Sequence, residues 1–156
     1  MSIDKRPNGA YRARWRETPG GPQKAATFDR KIDAQRHLTK IQHELLSGTY
    51  IDPRQAQTPL AVYAACWLER MRRTWRPGTT ASVDVNVRLH IVPTLGKMPL
   101  AAIKRADVEA WAAALDLSPA TVATVRQHLG QILSAAVEDG LLARNPAAGA
   151  RIDGTT

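Results

Sequence analysis

The periodicity of the apolar residues changes partway along the chain, and this change limits the folds open to it. In the early stretch YRARWRE, apolar and basic side chains alternate with the period of two that is typical of a strand. Beyond Thr58 the apolar residues recur every three to four positions, as in helices that bury one side. The polar segment between them, GTYIDPRQAQT, has neither pattern. We therefore predict a domain over 1–50, a linker over 51–57, a second domain over 58–146 and a tail over 147–156.

The N-terminal part carries signals for three short strands and one helix. Asn8-Gly9 predicts a two-residue hairpin turn, and a second turn, TPGGP, separates YRARWRE from a third strand, QKAATF. Asp29 is the expected N-cap of the helix, and Gly48 is its expected stop. The helix needs an apolar surface to cover, and the Tyr, Ala and Trp side of YRARWRE supplies one. We predict an α+β domain in which a three-stranded antiparallel sheet packs on one helix.

The second part is predicted to be all-α, with four helices. Its most regular apolar stripe follows Ser118-Pro119, an N-cap with proline at the first helical position, and ends at Gly140. The segment TASVDVNVRLHIV is ambiguous, because its β-branched residues alternate with polar ones as in a strand. As a helix it would have two apolar stripes and would have to be packed on two sides. These stripes are Val83/Val87/Ile91 and Val85/Leu89/Val92.

The charge of the chain favours a polyanionic partner. Lys and Arg number 22 against 14 Asp and Glu, which gives a net charge of +8. The first fifty residues are the more basic for their size, with 10 Lys and Arg against 5 Asp and Glu. Nucleic acid is therefore the first candidate, and an acidic lipid surface is a distant second.

Several classes of function lack the residues that they need. No apolar window approaches the length of a membrane span and the N-terminus does not resemble a signal peptide, so we expect a cytoplasmic protein without a membrane partner. The four histidines lack the spacing of a metal site, and no phosphate-binding or serine-hydrolase motif is present, so we expect no metal and no cofactor. The single cysteine, Cys66, lies in the apolar sequence AACWL and is expected to be buried.

Arg12, Arg14 and Arg16 share one side of their predicted strand. The helix would cover the other side, so this row of guanidinium groups is either a solvated outer face or a binding surface. The residues by themselves favour neither alternative.

The order of the elements resembles the N-terminal half of phage integrases of the tyrosine recombinase family. YRARWRE, the glycine turn and KAATFDRKIDAQRHL resemble the arm-type DNA-binding domain of that family. The sequence from TPLAVYAACWLERM to RNPA resembles its core-binding, SAM-like domain. The shared features are the Trp67 helix, Thr79-Thr80, Leu95-Gly96, Pro99-Leu100, Ser118-Pro119-Ala120-Thr121 and Asn145-Pro146. The resemblance implies that TASVDVNVRLHIV is a helix of a four-helix bundle, and we adopt that interpretation.

The resemblance also implies partners and contact residues. The partners would be double-stranded DNA, in arm-type and core-type sites, and other recombinase protomers in a tetrameric synapse. On the sheet, the implied DNA contacts are Arg12, Arg14 and Arg16, assisted by Lys5, Arg6 and Lys24. In the helical domain, where the second and fourth helices would face the major groove, they are Thr79, Thr80, Lys97, Ser118, Thr121, Thr124, Arg126 and Gln127.

Catalysis is not expected of this chain. Family members continue into a catalytic domain with an Arg/Lys/His/Arg/His-type cluster and a nucleophilic tyrosine. Tyr11, Tyr50 and Tyr63 match the sheet, the linker and a core helix instead. We therefore expect a non-catalytic DNA-binding part of a site-specific recombinase. The alternatives are a protein-interaction adaptor and a standalone DNA-binding regulator with a basic sheet.

Overall fold

The computed structural model describes residues 1–148, so residues 149–156 of the predicted tail lie outside the described residues. The chain divides into two compact units, Met1–Tyr50 and a second unit that begins at Ile51. Each unit has a hydrophobic core of its own.

The first unit is the predicted α+β arrangement. The three strands of its antiparallel sheet are neighbours in the order in which they follow one another in the sequence, and one helix packs against the sheet. Ala34, Leu38 and Ile41 of that helix are buried against Ala13 and Trp15 of the central strand. The elements are β1 (Ser2–Lys5), β2 (Tyr11–Arg16), β3 (Gln23–Phe28) and α1 (Lys31–Ser47).

Two local predictions for this unit are wrong. The first hairpin loop has three residues, Pro7, Asn8 and Gly9, rather than two. The Arg6 N–H donates to the Ala10 carbonyl at 2.7 Å, so Arg6 and Ala10 are the last paired residues before the loop. Gly9 takes the left-handed conformation, with φ of 87°, that ends such a turn. The N-cap of α1 is Arg30 rather than Asp29, and it makes no side-chain cap.

The second unit is helical, as predicted, and its longest helix buries the whole of the stripe that follows Ser118-Pro119. The predicted linker is not free of structure, because Asp52 accepts the Arg54 N–H at 2.9 Å and caps one helical turn there. The elements are α2 (Pro53–Ala56), α3 (Leu60–Arg72), α4 (Pro77–Asn86), a π-helical segment (Val87–Ile91), α5 (Val92–Leu95), a 3-10 turn (Leu100–Ala102), α6 (Arg105–Ala114) and α7 (Pro119–Glu138).

The ambiguous segment TASVDVNVRLHIV is helical, which confirms the choice against the strand pattern. It runs through α4 and the π-helical segment into α5. Of its two apolar stripes only the first is fully buried, since Val85 is 41% and Leu89 is 54% exposed. The expectation that it packs on two sides is therefore wrong.

A proline explains the π-helical geometry. Pro93 has no N–H to offer the Leu89 carbonyl, and the Val92 N–H instead reaches the Val87 carbonyl five residues back. The His90 carbonyl accepts the Trp111 indole N–H of α6 at 2.7 Å. This hydrogen bond ties the π-helical segment to α6.

The exposure of Cys66 differs from the prediction that it is buried. Cys66 is exposed, because the adjacent Trp67 occupies the core position of that turn of α3. Within residues 1–148 no helix is long and apolar enough to cross a membrane, and no group of three or more His, Cys, Asp or Glu side chains could hold a metal ion.

Candidate nucleic-acid interface

One face of the sheet carries all three predicted arginines of β2. Strand register decides which neighbours share this face, because directly opposed residues of antiparallel strands point to the same side. Asp4 is opposite Arg12, Ser2 is opposite Arg14, and Gln23 is opposite Arg16. We call this surface the arginine face. Its members are Ser2, Asp4, Arg12, Arg14, Arg16, Gln23, Ala25 and Thr27.

Two basic residues expected beside these arginines lie on the opposite face. Lys5 is paired with Tyr11 and Lys24 with Trp15, and both of these aromatic residues face α1. Lys24 forms an ion pair with Glu17, and its Nζ lies 5.7 Å from the centre of the Tyr50 ring. Lys5 and Lys24 thus lie on the strands next to β2, as expected, but they do not share the face of the three arginines. Arg6 is exposed in the turn after β1.

The arginine face is not uniformly positive, because a carboxylate lies among the guanidinium groups. Asp4 Oδ2 forms an ion pair with Arg14 Nη2, and Arg12 Nη2 lies 3.9 Å from the same oxygen. Arg16 is bound differently, since its Nη1 donates to the neutral carbonyl of Gly21 in the second turn. The side chains of Arg12 and Arg14 remain 36% and 32% exposed.

In the helical unit, an uncharged polar row follows the exposed side of α7. Thr121, Thr124, Gln127 and Gln131 are all exposed. Ser118 is the N-cap, as predicted, and its Oγ accepts the Thr121 N–H at 3.3 Å and lies 2.8 Å from Thr121 Oγ1. Thr124 Oγ1 donates to the Ala120 carbonyl at 3.1 Å, so this hydroxyl is left free only as an acceptor.

The predicted contacts Thr79 and Thr80, at the start of the second main helix, differ in exposure. Thr79 is exposed, but Thr80 is buried, and its hydroxyl donates to the Arg76 carbonyl at 3.3 Å. The Thr80 N–H also bonds to that carbonyl, at 3.1 Å, so neither this N–H nor the hydroxyl proton is available to a phosphate. The reason is that α4 begins at Pro77, which places Thr80 one full turn inside the helix.

A groove of about 660 Å³ lies between α7 and the C-terminal end of α3. Trp67, Met71 and Trp75 line one side of it, and Gln127 and Gln131 line the other. Arg126 also lines the groove and donates to the Ala147 carbonyl at 3.3 Å, so part of its guanidinium group is engaged within the fold.

A contact between Asn86 and His128 joins α4 to α7, next to the polar row of Thr121, Thr124, Gln127 and Gln131. Asn86 Nδ2 lies 3.3 Å from His128 Nδ1. Burial lowers the pKa of His128, so the neutral imidazole is favoured at pH 7. This contact links α4 and α7, which correspond to the second and fourth helices of the predicted four-helix domain.

Lys97 does not join these side chains. It is exposed in the turn after α5, where the Gly96 carbonyl accepts the Ala61 N–H at 2.9 Å near the start of α3. Thr79 lies just beyond the other end of α3, whose 13 residues span about 20 Å. Lys97 and Thr79 therefore lie toward opposite ends of α3.

Two further exposed cations were not among the contacts predicted from the sequence. Arg73 and Arg76 are exposed in the loop between α3 and α4, immediately before the exposed Thr79. The dense basic sequence RMRRTWR was the available signal, and its position next to a helix N-terminus makes it suited to bind phosphate.

Comparison with known proteins agrees with this architecture. Residues 60–153 match the phage integrase central domain family. An integrase of Mycobacterium phage L5 is 29% identical over 130 residues, which make up 77% of this chain and 34% of the relative. The chain thus spans about a third of the length of this curated relative.

Two solved structures share the fold. A phage integrase SAM-like domain from Moorella thermoacetica is 28% identical, with a TM-score of 0.54 over 69% of this chain and 93% of that domain. A lambda integrase dimer bound to a COC′ core site has a TM-score of 0.57 at 20% identity, over 99% of this chain and 45% of that one. The match over residues 60–153 covers more than half of the sequence, and the chain belongs to the phage integrase central domain family.

Proposed function

We propose that this chain is a DNA-binding, non-catalytic part of a site-specific tyrosine recombinase. In this proposal the arginine face binds accessory, arm-type sites, and the exposed side of α7 together with the start of α4 binds the core-type site. The expectation that the two segments are separate domains, 1–50 and 58–146, forms part of the proposal. Further protomers would bind the same DNA.

The arginine face is the observation that carries the proposal. The only helix of the first unit, α1, covers the opposite side of the sheet, and it leaves three guanidinium groups on a surface with no covering element of that unit. Arginine can bind guanine O6 and N7 with two hydrogen bonds or can bind a backbone phosphate. Similarity to the lambda integrase bound to a core site adds support through the fold.

Two substitutions separate the roles of the two surfaces. Arg14→Ala should weaken binding to the arm-type duplex about fivefold or more, since a bidentate base contact contributes about 1–3 kcal/mol. It should leave binding to the core-type duplex unchanged. Thr121→Ala should have the opposite effect. Arg36→Ala is the matched control, because it removes an exposed arginine of the same unit on α1.

The measurement is an electrophoretic mobility shift at several salt concentrations, with duplexes selected on the chain from a random library. A DNA-binding protein should lose affinity steeply as salt rises. A protein-interaction adaptor should show no such dependence. If Arg14→Ala and Arg36→Ala weaken binding equally, the arginine face is not the DNA surface.

A further inference from the structure

The carboxylate on the arginine face has a place in the proposed function, on which this inference rests. We propose that Asp4 is a specificity-determining residue: it holds Arg12 and Arg14 in position and keeps these two arginines from binding backbone phosphates, so that they select base edges.

The geometry gives Asp4 control over both arginines. Asp4 lies opposite Arg12 in the register, and one of its oxygens pairs with Arg14 and lies 3.9 Å from Arg12. This Oδ2 is shielded from solvent, and so is the Nε atom of each arginine. The outer ends of the two guanidinium groups are therefore the parts that a ligand can reach.

Electrostatics then separates two kinds of ligand. A phosphate that approaches Arg12 or Arg14 also approaches the negative charge of Asp4, which cancels much of the attraction at a separation of a few ångströms. Guanine O6 and N7 are acceptors with only partial negative charge, so Asp4 repels them much less than it repels a phosphate. Arg16 bonds to a neutral carbonyl instead, so it keeps its full charge for the DNA backbone. The arginine face thus contains two side chains suited to bases and one suited to phosphate.

The test uses the full chain with the variants Asp4→Asn and Glu17→Gln. Each removes one carboxylate of the same unit that is paired with a basic side chain, but Glu17 pairs with Lys24 on the opposite face of the sheet. The probe is a DNA duplex selected from a random library by binding to the wild-type chain. Sequences that also bind the double variant Arg12→Ala/Arg14→Ala are removed, so that binding of the remaining duplexes depends on these two arginines. A shuffled duplex of the same composition is the reference.

We expect Asp4→Asn to bind the shuffled duplex about fivefold more tightly at low salt and the enriched duplex little better, so that discrimination falls about fivefold. The plot of log affinity against log salt for the shuffled duplex should steepen by about 0.9 for each additional phosphate that the variant binds. Glu17→Gln should change the discrimination less than twofold. Melting temperatures of both variants identify any loss of fold, which by itself would lower affinity rather than raise it.

Three outcomes contradict the inference. If Asp4→Asn keeps the wild-type discrimination and salt slope, Asp4 does not determine specificity, although the arginine face binds DNA. If Glu17→Gln acts as strongly as Asp4→Asn, net charge alone is responsible. If no duplex can be enriched that depends on Arg12 and Arg14, both the inference and the proposed role of the arginine face are wrong.

Discussion

Three polar side chains join α3 to the end of α7. The Tyr63 hydroxyl donates to Asp139 Oδ2 at 2.6 Å, and Arg70 Nη2 lies 3.0 Å from the same oxygen. Hydrogen bonds from Tyr63 and Arg70 lower the pKa of Asp139. The pKa of Tyr63 is raised, mainly by burial and to a smaller extent by its hydrogen bond to Asp139. The charged carboxylate therefore stabilises the fold.

The stability provided by Asp139 should depend on pH. A lowered folded pKa means that the contribution is present above the usual value near 4 and is lost as pH falls through the folded value. Asp139→Asn should lower the free energy of unfolding at pH 7, because it removes the charged partner of Tyr63 and Arg70. The loss should be only about 1 kcal/mol, since the carboxylate is partly exposed, and it should be smaller near pH 2, where the wild-type carboxyl also loses its charge. Urea denaturation at both pH values measures this. Glu138→Gln, the neighbouring carboxylate, is the control and should show no such convergence.

The same contacts bear on catalysis. Tyr63 is buried and its hydroxyl is already bound to Asp139, burial raises the pKa of Tyr50, and Tyr11 lies on the side of the sheet that faces α1. The Tyr63 hydroxyl is therefore already engaged, and the raised pKa of Tyr50 disfavours the phenolate form that a tyrosine nucleophile uses. We expect no covalent protein–DNA adduct on nicked or intact duplexes, assayed by denaturing electrophoresis. An adduct lost on replacing any one tyrosine with Phe would contradict this.

At the scale of elements, the π-helical segment depends on a bond from another helix. Trp111→Phe removes the indole N–H and leaves the His90 carbonyl without this donor, which should cost about 1–3 kcal/mol of unfolding free energy in addition to the lost ring area. Urea denaturation measures the loss. Trp75→Phe, at a half-buried tryptophan on the same core, is the control for ring size. Equal losses in the two variants would mean that the hydrogen bond contributes nothing.

Periodicity was enough to predict most of the elements, but not their register. The helix over TASVDVNVRLHIV rested on the family resemblance, and α2 in the linker was not predicted. The alternation in β2 correctly placed its three arginines on one face, and the apolar stripe of α7 correctly gave its buried side. A two-residue loop at Asn8-Gly9 would have placed Lys5 opposite Arg12. The actual three-residue loop shifts the pairing by one and brings Asp4 there instead. The carboxylate on the arginine face was therefore invisible from composition and spacing.

At the scale of the whole molecule, the two units differ in how much they bury. Among the described residues, the core of the first unit has 5 buried members and that of the second has 20. Because a small domain buries a smaller share of its surface, the first unit should be the less stable of the two. Separately expressed 1–50 and 51–156 should each fold, and calorimetry of the full chain should show two transitions that match those of the pieces.

His37 offers a way to test that independence within the full chain. It packs between Trp15 and Phe28, with ring centres 5.0 Å from each, and burial followed by the charge of Lys40 lowers its pKa. The stability that it provides is therefore present above the usual value near 6.5 and is lost as pH falls toward the lowered folded value. Calorimetry from pH 8 to pH 5 should show the first transition moving to lower temperature in the wild-type chain.

His37→Gln should flatten that pH dependence in the first transition and leave the second unchanged. His43→Gln, on the exposed side of the same helix, is the control and should leave the pH dependence of both transitions as it is in the wild-type chain. The second transition has a titrating group of its own, since burial also lowers the pKa of His128. If His37→Gln alters both transitions together, the units do not unfold independently, and binding by one surface would then affect the stability of the other.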